Sequence, residues 1–368
     1  MSTLTASAPP AVGAFTRSEI LSQAESWRGA VDALRSQHAQ IANFLAQNYT
    51  RPALFAACGS PYYLGLTAAA VFRALAGRPA SAAPASDALF HWDSIVSRGQ
   101  APAVFAVSRS GETSELLAVC RKLKAAGSPL LAITVASQSS LHDIAGAGDV
   151  VVSIPNATEQ SMAQTRSFSA MLIATLGAVA IGAGQKAIAD EITSAGRNAT
   201  AVSDYIGRID GPINDLIARG FRQVYVLGSG ARYGLANEAA LKMKEMSLTN
   251  AEPFHFLEFR HGPQSMVDKD TLVIGLVSER GYVAEVQVLR EMRALGGSVL
   301  ALTPKPIDSD DPDLVEIAID SALSETAGLP YYMPPLQLTA YHQAMFKGLN
   351  CDAPRNLKHF IELPELVE

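Results

Sequence analysis

Short apolar runs alternate with amphipathic stretches along most of this chain. Residues 53–57 (ALFAA), 102–107 (PAVFAV), 130–135 (LLAITV) and 150–154 (VVVSI) are β-prone and almost free of polar residues. That pattern predicts parallel strands buried on both faces. Between them, residues 62–76 and 114–126 read as helices; in the second, Leu116, Leu117, Val119, Cys120 and Leu123 recur at helical spacing. Residues 18–48 predict one or two amphipathic helices ahead of the first strand, residues 79–90 a short strand, and residues 139–148 a short helix and turn. Residues 159–184 open as a polar loop or helix start and run into an apolar stretch, 170–184. A bilayer span needs about 20 residues, so the stretch predicts a buried helix and no membrane contact.

After a polar helical stretch, 186–220, the pattern begins again. Strands are predicted at 221–227 (FRQVYVL), 272–277 (LVIGLV), 299–303 and 315–319, with helices at 237–248 and 283–295. Gly59 and Gly228 lie 169 positions apart, as do Thr134 and Thr303. The text of residues 121–134 (RKLKAAGSPLLAIT) matches that of 290–303 (REMRALGGSVLALT) in kind. Self-similarity at one offset implies a duplicated α/β unit. Each copy should be a mainly parallel sheet with helices on both faces, a three-layer αβα sandwich. The expected division is a flexible tail at 1–17, a first domain at 18–205, a second at 206–350 and a C-terminal tail at 351–368. The boundary between the copies falls near 195–215.

Composition narrows the class. The 368 residues are 48% apolar and 17% charged, enough for two globular domains, and the net charge of −6 offers nucleic acid no general attraction. Any anion site must be local. Cys58, Cys120 and Cys351 are scattered, which argues against a disulfide framework or a thiolate metal site and for a reducing cytoplasm. Residues 1–15 are Ala/Pro/Ser-rich, with no basic residue before Arg17, and read as a loose tail rather than a signal peptide.

The densest chemistry is Ser108-Arg109-Ser110-Gly111-Glu112-Thr113, where a strand feeds a helix N-terminus. Free backbone N–H groups, the positive helix end and three hydroxyls make a phosphate seat. The plainer reading is an ordinary N-cap by Thr113 or Ser110. Placement at the carboxyl end of a strand, where open α/β sheets bind ligands, favours the seat. In the second copy Ser278-Glu279-Arg280-Gly281 stands there instead, and a carboxylate would repel phosphate. The second copy offers another feature: Glu238, Lys242 and Glu245 at i, i+4 and i+7 on one helix face, with Lys244 on the outer face. Such a face is either a solvated stripe worth a few tenths of a kcal/mol per pair or an acid–base set in a cleft. His261, before Gly262-Pro263, lies on a loop or turn; it is either structural, like His255, His342 and His359, or functional. Gly228-x-Gly230-x-x-x-Gly234 has the wrong spacing for a dinucleotide fingerprint.

Taken in order, these motifs resemble the double sugar isomerase (SIS) domain family, and most closely the isomerase half of glucosamine-6-phosphate synthase and its amino-sugar-phosphate-deaminating relatives. The resemblance covers roughly residues 50–362. It rests on Cys58-Gly59-Ser60, the Ser108–Thr113 loop, residues 159–168, residues 238–245 (EAALKMKE), Arg260-His261-Gly262-Pro263, residues 334–342 (PPLQLTAYH) and Pro354-Arg355-Asn356-Leu357.

The resemblance implies two tandem flavodoxin-like SIS domains and no cofactor or metal. It implies phosphate contacts from Ser108, Arg109, Ser110 and Thr113, with Gly59 and Ser60 beside them, and sugar contacts from Met162 and Gln164. Glu245 would move a proton between C1 and C2, Lys242 would assist, and His261 would open the sugar ring. That histidine comes from the neighbouring subunit in the synthase, implying a homodimer. The synthase's N-terminal cysteine nucleophile has no counterpart, since residue 2 is Ser, so glutamine is not the expected ammonia donor. The family's imine-forming lysine aligns with His359, with Lys358 one position earlier. Neighbouring side chains on an extended tail point opposite ways. Either a shifted tail brings Lys358 in, or the imine belongs to the substrate's own amine. The expected reaction is glucosamine 6-phosphate to fructose 6-phosphate plus ammonia. The alternatives are a phosphosugar aldose–ketose isomerase, a fructosamine-6-phosphate deglycase and a non-catalytic sugar-phosphate-binding protein.

Overall fold

The computed structural model describes residues 11–96, 99–319, 322–358 and 363. Strands β1 (Ala53–Ala57), β2 (Ala80–Pro84), β3 (Ala103–Ser108), β4 (Leu130–Thr134) and β5 (Val150–Ser153) form one sheet in the order β2-β1-β3-β4-β5. Strands β6 (Gln223–Gly228), β7 (Asn250–Phe254), β8 (Thr271–Leu276), β9 (Ser298–Thr303) and β10 (Leu314–Ala318) form the other, in the order β7-β6-β8-β9-β10. Every neighbouring pair is parallel. The two halves therefore repeat one flavodoxin-like topology, and each has its crevice where the strand order reverses, between its first and third strands. All residues of β1, β3, β4, β6, β8 and β9 are buried, as runs without exposed faces require.

Strand β7 departs from the sequence expectation, which left Asn250–Phe254 unassigned. Of its residues only Ala251 is buried. Pro253 lacks an N–H and is tolerated because the strand lies at the sheet edge. Its counterpart β2 is the other first-strand neighbour and is equally weak in sequence. Pairing to β1 and β6, rather than periodicity, makes these two segments strands.

One apolar core runs through both halves, from Trp27, Phe72 and Phe105 to Val226, Met243 and Leu336. The apolar stretch is the helix Arg166–Gly182, buried from Ser167 to Ala180, as predicted. The leading helix Gln23–Ser36 packs on it, with Trp27 Nε1 donating to Ser169 Oγ at 2.9 Å. The expected boundary region is helical, in Lys186–Arg197 and Ala199–Ile217; the latter buries Ile206, Ile209 and Ile213 against the helix Met333–Phe346.

Residues 14–17, assigned to the tail, belong to a helix, Ala14–Leu21. Its first free N–H groups are met by Asp352 from the other end of the chain, which accepts from Phe15 N (3.3 Å), Thr16 N (2.8 Å) and Thr16 Oγ1 (2.7 Å). No local window contains that cap.

The helices following β1 and β6, Ser60–Ala76 and Arg232–Ser247, cross each other. The second starts five residues before the predicted 237. At the crossing, a Cβ on Gly234 would stand 2.3 Å from Thr67 Oγ1 and 2.4 Å from Tyr63 O. Thr67 Oγ1 donates to Ala231 O at 2.9 Å. This close contact sets the end of β1 against the end of β6.

Candidate active site

The hydroxyl-rich loop leaves β3 at Ser108 and enters the helix Ser114–Ala125. Ser108 Oγ accepts from Gly111 N (3.0 Å) and lies 3.1 Å from Thr113 Oγ1, while Ser110 Oγ accepts from Glu112 N (3.1 Å). Gly111 has φ +69°, and a Cβ there would come 2.1 Å from Ser139 Oγ, so the turn requires glycine. Glu112 turns away from the seat, its carboxylate accepting from Ser140 N and Oγ, both at 2.6 Å. A cavity of about 300 Å³ opens at this crevice, lined by Ser108, Arg109, Ser110, Thr113, Cys58 and Gln164 among others. Burial pushes the Cys58 thiol up to about 11, which keeps it protonated at neutral pH.

Arg109 is drawn to one side of the cavity. Its Nη1 donates to Met162 O at 3.0 Å and Ser161 O at 3.5 Å and stands 3.5 Å from Glu159, whose side chain is fully buried. Glu159 in turn accepts from Thr165 N (2.6 Å), Thr165 Oγ1 (2.9 Å), Ser167 N (3.1 Å) and Ser167 Oγ, and so caps the helix Arg166–Gly182. Sequence reading placed Glu159 in a motif without giving it a role. Met162 and Gln164 are partly buried on the same loop.

Glu238, Lys242 and Glu245 are not a solvated stripe. Their side chains are 0%, 1% and 19% exposed. Lys242 Nζ donates to Glu245 Oε2 and lies 3.4 Å from Glu238 Oε1. Burial drives the Glu238 carboxyl up to about 8, opposed by Lys242 and reinforced by Glu245; the Ser60 hydroxyl lies against it and also opposes the rise. Burial works against the Lys242 charge, but Glu238 and Glu245 overcome it and raise its pKa, with a smaller contribution from Glu159. Ser60 and Glu159 thus tie the buried Glu238–Lys242–Glu245 set of the second half to the hydroxyl loop of the first. Ser60, expected beside the phosphate, is buried at this junction. Gly59 precedes it at φ +60°, with open space where a Cβ would be.

The second copy keeps the turn: Ser278 Oγ accepts from Gly281 N at 2.9 Å, as Ser108 does from Gly111. Its anion position is filled by the chain's own carboxylates. Glu285 accepts from Ser278 N at 2.6 Å, and Glu325 from Glu279 N at 2.9 Å. Sequence reading pointed to Glu279 as the group excluding phosphate; the carboxylates standing in the turn are Glu285 and Glu325.

His261 is exposed and does not line the cavity of the seat. Lys358 is exposed, and His359 lies outside the described residues. Further along the tail, Leu363 N donates to Ser114 Oγ at 3.1 Å, on the first turn of the helix that the seat loop feeds.

Two flavodoxin-ordered sheets, a hydroxyl-lined crevice and a buried Glu–Lys–Glu set beside it define a tandem α/β protein. The SIS domain model matches residues 50–181 and 219–345, and the chain belongs to the SIS domain family. It is 31% identical over 312 residues to a glutamine–fructose-6-phosphate aminotransferase (isomerizing) of Rhizobium meliloti, covering 82% of this chain and 50% of that protein. The chain thus spans about half the length of the curated relatives it matches. Its fold is similar to that of tagatose-6-phosphate ketose/aldose isomerase from Escherichia coli, with TM-score 0.79, 21% identity and coverage of 95% of this chain and 98% of that one. It is also similar to glucosamine-6-phosphate deaminase from Thermotoga maritima, with TM-score 0.70, 24% identity and coverage of 92% and 100%. Among the described residues no helix is long and apolar enough to cross a membrane.

Proposed function

We propose that the protein converts glucosamine 6-phosphate and water into fructose 6-phosphate and ammonia. The observation that carries this reading is the burial of Glu238, Lys242 and Glu245 where their helix crosses the one that begins at Ser60, beside the hydroxyl-lined cavity. The substrate phosphate takes the N–H and O–H donors of Ser108, Ser110 and Thr113, with Arg109 at the cavity's side. His261 of a second copy opens the sugar ring, as the family resemblance implies. Glu245, the most exposed of the three, takes the C2 proton, exchanges it with solvent and delivers a proton to C1. The resulting C2 imine adds water and releases ammonia. Lys242 is charged and held between Glu245 and the buried Glu238 carboxyl, so it orients Glu245 rather than attacking the C2 carbon. Lys358 is exposed and does not line the cavity, so in this reading the imine nitrogen is the substrate's own amine.

The test is incubation of the purified protein with a panel of phosphorylated amino sugars and sugars, with ammonia and ketose measured separately. Equal amounts of both from glucosamine 6-phosphate are expected. Ketose without ammonia from an aldose phosphate would replace this reading with simple isomerisation, and ammonia from none of the substrates would refute deamination. A Glu245→Gln variant should lose at least ~10²-fold in turnover.

A further inference from the structure

The loop that faces the cavity is held from behind by a residue 141 positions away from it. Glu19, on the helix Ala14–Leu21, is 4% exposed. Its Oε1 accepts from Gln160 N at 2.5 Å and Ser161 N at 3.2 Å, and its Oε2 accepts from Ser161 Oγ. The next N–H along the loop, Met162 N, donates to Asp352 O at 2.9 Å, and the Asp352 carboxylate caps the Glu19 helix. Three successive loop N–H groups are thus taken by acceptors from the two ends of the chain. On the opposite side, the Ser161 and Met162 carbonyls receive Arg109 Nη1. The loop is a bridge between Glu19 and Arg109.

We propose that Glu19 is a positioning residue of the phosphosugar site: its carboxylate fixes the loop whose carbonyls hold the Arg109 guanidinium at the cavity. The inference rests on the phosphosugar reading above. What matters in it is reach rather than charge. A glutamine of equal length presents one carbonyl oxygen to both backbone N–H groups, and its amide donates to Ser161 Oγ, which remains free to donate to Ala163 O. An aspartate keeps the charge but is one methylene too short, leaving buried donors unpaired.

The experiment compares full-length Glu19→Asp and Glu19→Gln with wild type in two measurements. The first is kcat and KM on the phosphosugar found by the panel; the second is ligand-free amide exchange of residues 160–162. Glu19→Asp should raise KM at least ~10-fold, leave kcat within about 3-fold and speed exchange at least ~10-fold; Glu19→Gln should stay within about 3-fold of wild type throughout. A wild-type KM in Glu19→Asp, equal impairment in Glu19→Gln, or a fall in kcat matching the change in KM would overturn the role. Exchange separates the two readings. Faster exchange in Glu19→Asp beside a wild type that turns over no phosphosugar sinks the function alone, while unchanged exchange sinks Glu19 alone.

Discussion

Replacing Glu238 by Gln should make the protein less sensitive to alkaline pH. The carboxyl has no exposed surface, neither oxygen has a well-formed hydrogen bond, and burial lifts its pKa from an ordinary 4.5 to about 8. Between those two values the folded protein holds a proton that the unfolded chain has released. Stability must therefore fall as pH rises through that window, by about 1.4 kcal/mol per unit for one such group. Over the whole window the loss is on the order of 3–5 kcal/mol. Glutamine keeps the shape and cannot ionise, so the variant lacks this term, while groups elsewhere titrate alike in both proteins. Urea denaturation of the two proteins at pH 5, 6, 7 and 8 and constant ionic strength measures the difference. The expected result is a stability difference that shifts in favour of Glu238→Gln by several kcal/mol from pH 5 to 8. A constant offset, or a wild type that gains on the variant as pH rises, would refute the buried neutral carboxyl.

Two glycine replacements test the geometry that joins the halves and shapes the seat. Gly234→Ala drives a Cβ to within 2.3–2.7 Å of Thr67 and Tyr63 atoms, two of them backbone, so the helices must separate. Thermal denaturation should register a loss of about 1–3 kcal/mol or more, and an unchanged midpoint would contradict the close crossing. Gly111→Ala combines a left-handed φ of +69° with a Cβ 2.1 Å from Ser139 Oγ. Inorganic phosphate, titrated by calorimetry, should bind at least ~10-fold more weakly, because the turn that aims the Ser108 and Ser110 hydroxyls cannot form. Undiminished binding would place the anion elsewhere.

The central strands were legible because burial on both faces leaves ALFAA, AVFAVS and LLAIT apolar except at the strand ends Ser108 and Thr134. The edge strand β7 was not, since one neighbour and one exposed side allow Asn250, Glu252 and Pro253. The start of the helix Arg232–Ser247 was hidden for a tertiary reason. Arg232 is buried by Tyr332 and Glu325, and Gly234 is there to let another helix approach, so neither fits an amphipathic period. The hydroxyl loop could be read from its residues alone. What fills its twin could not, because Glu285 reaches back seven positions and Glu325 nearly fifty. Likewise the spacing of Glu238, Lys242 and Glu245 is the same whether the face meets water or another helix. Only packing against Ser60 distinguishes the two, and no local pattern reveals Glu19 behind the loop at Gln160.

The most direct test of hydrogen transfer by Glu245 is turnover of glucosamine 6-phosphate in D2O by wild type and Glu245→Gln, with product label read at C1. Wild type should yield fructose 6-phosphate carrying solvent deuterium at C1, and the variant should form it at least ~10²-fold more slowly. Labelled ketose appearing at the wild-type rate from Glu245→Gln would contradict the account.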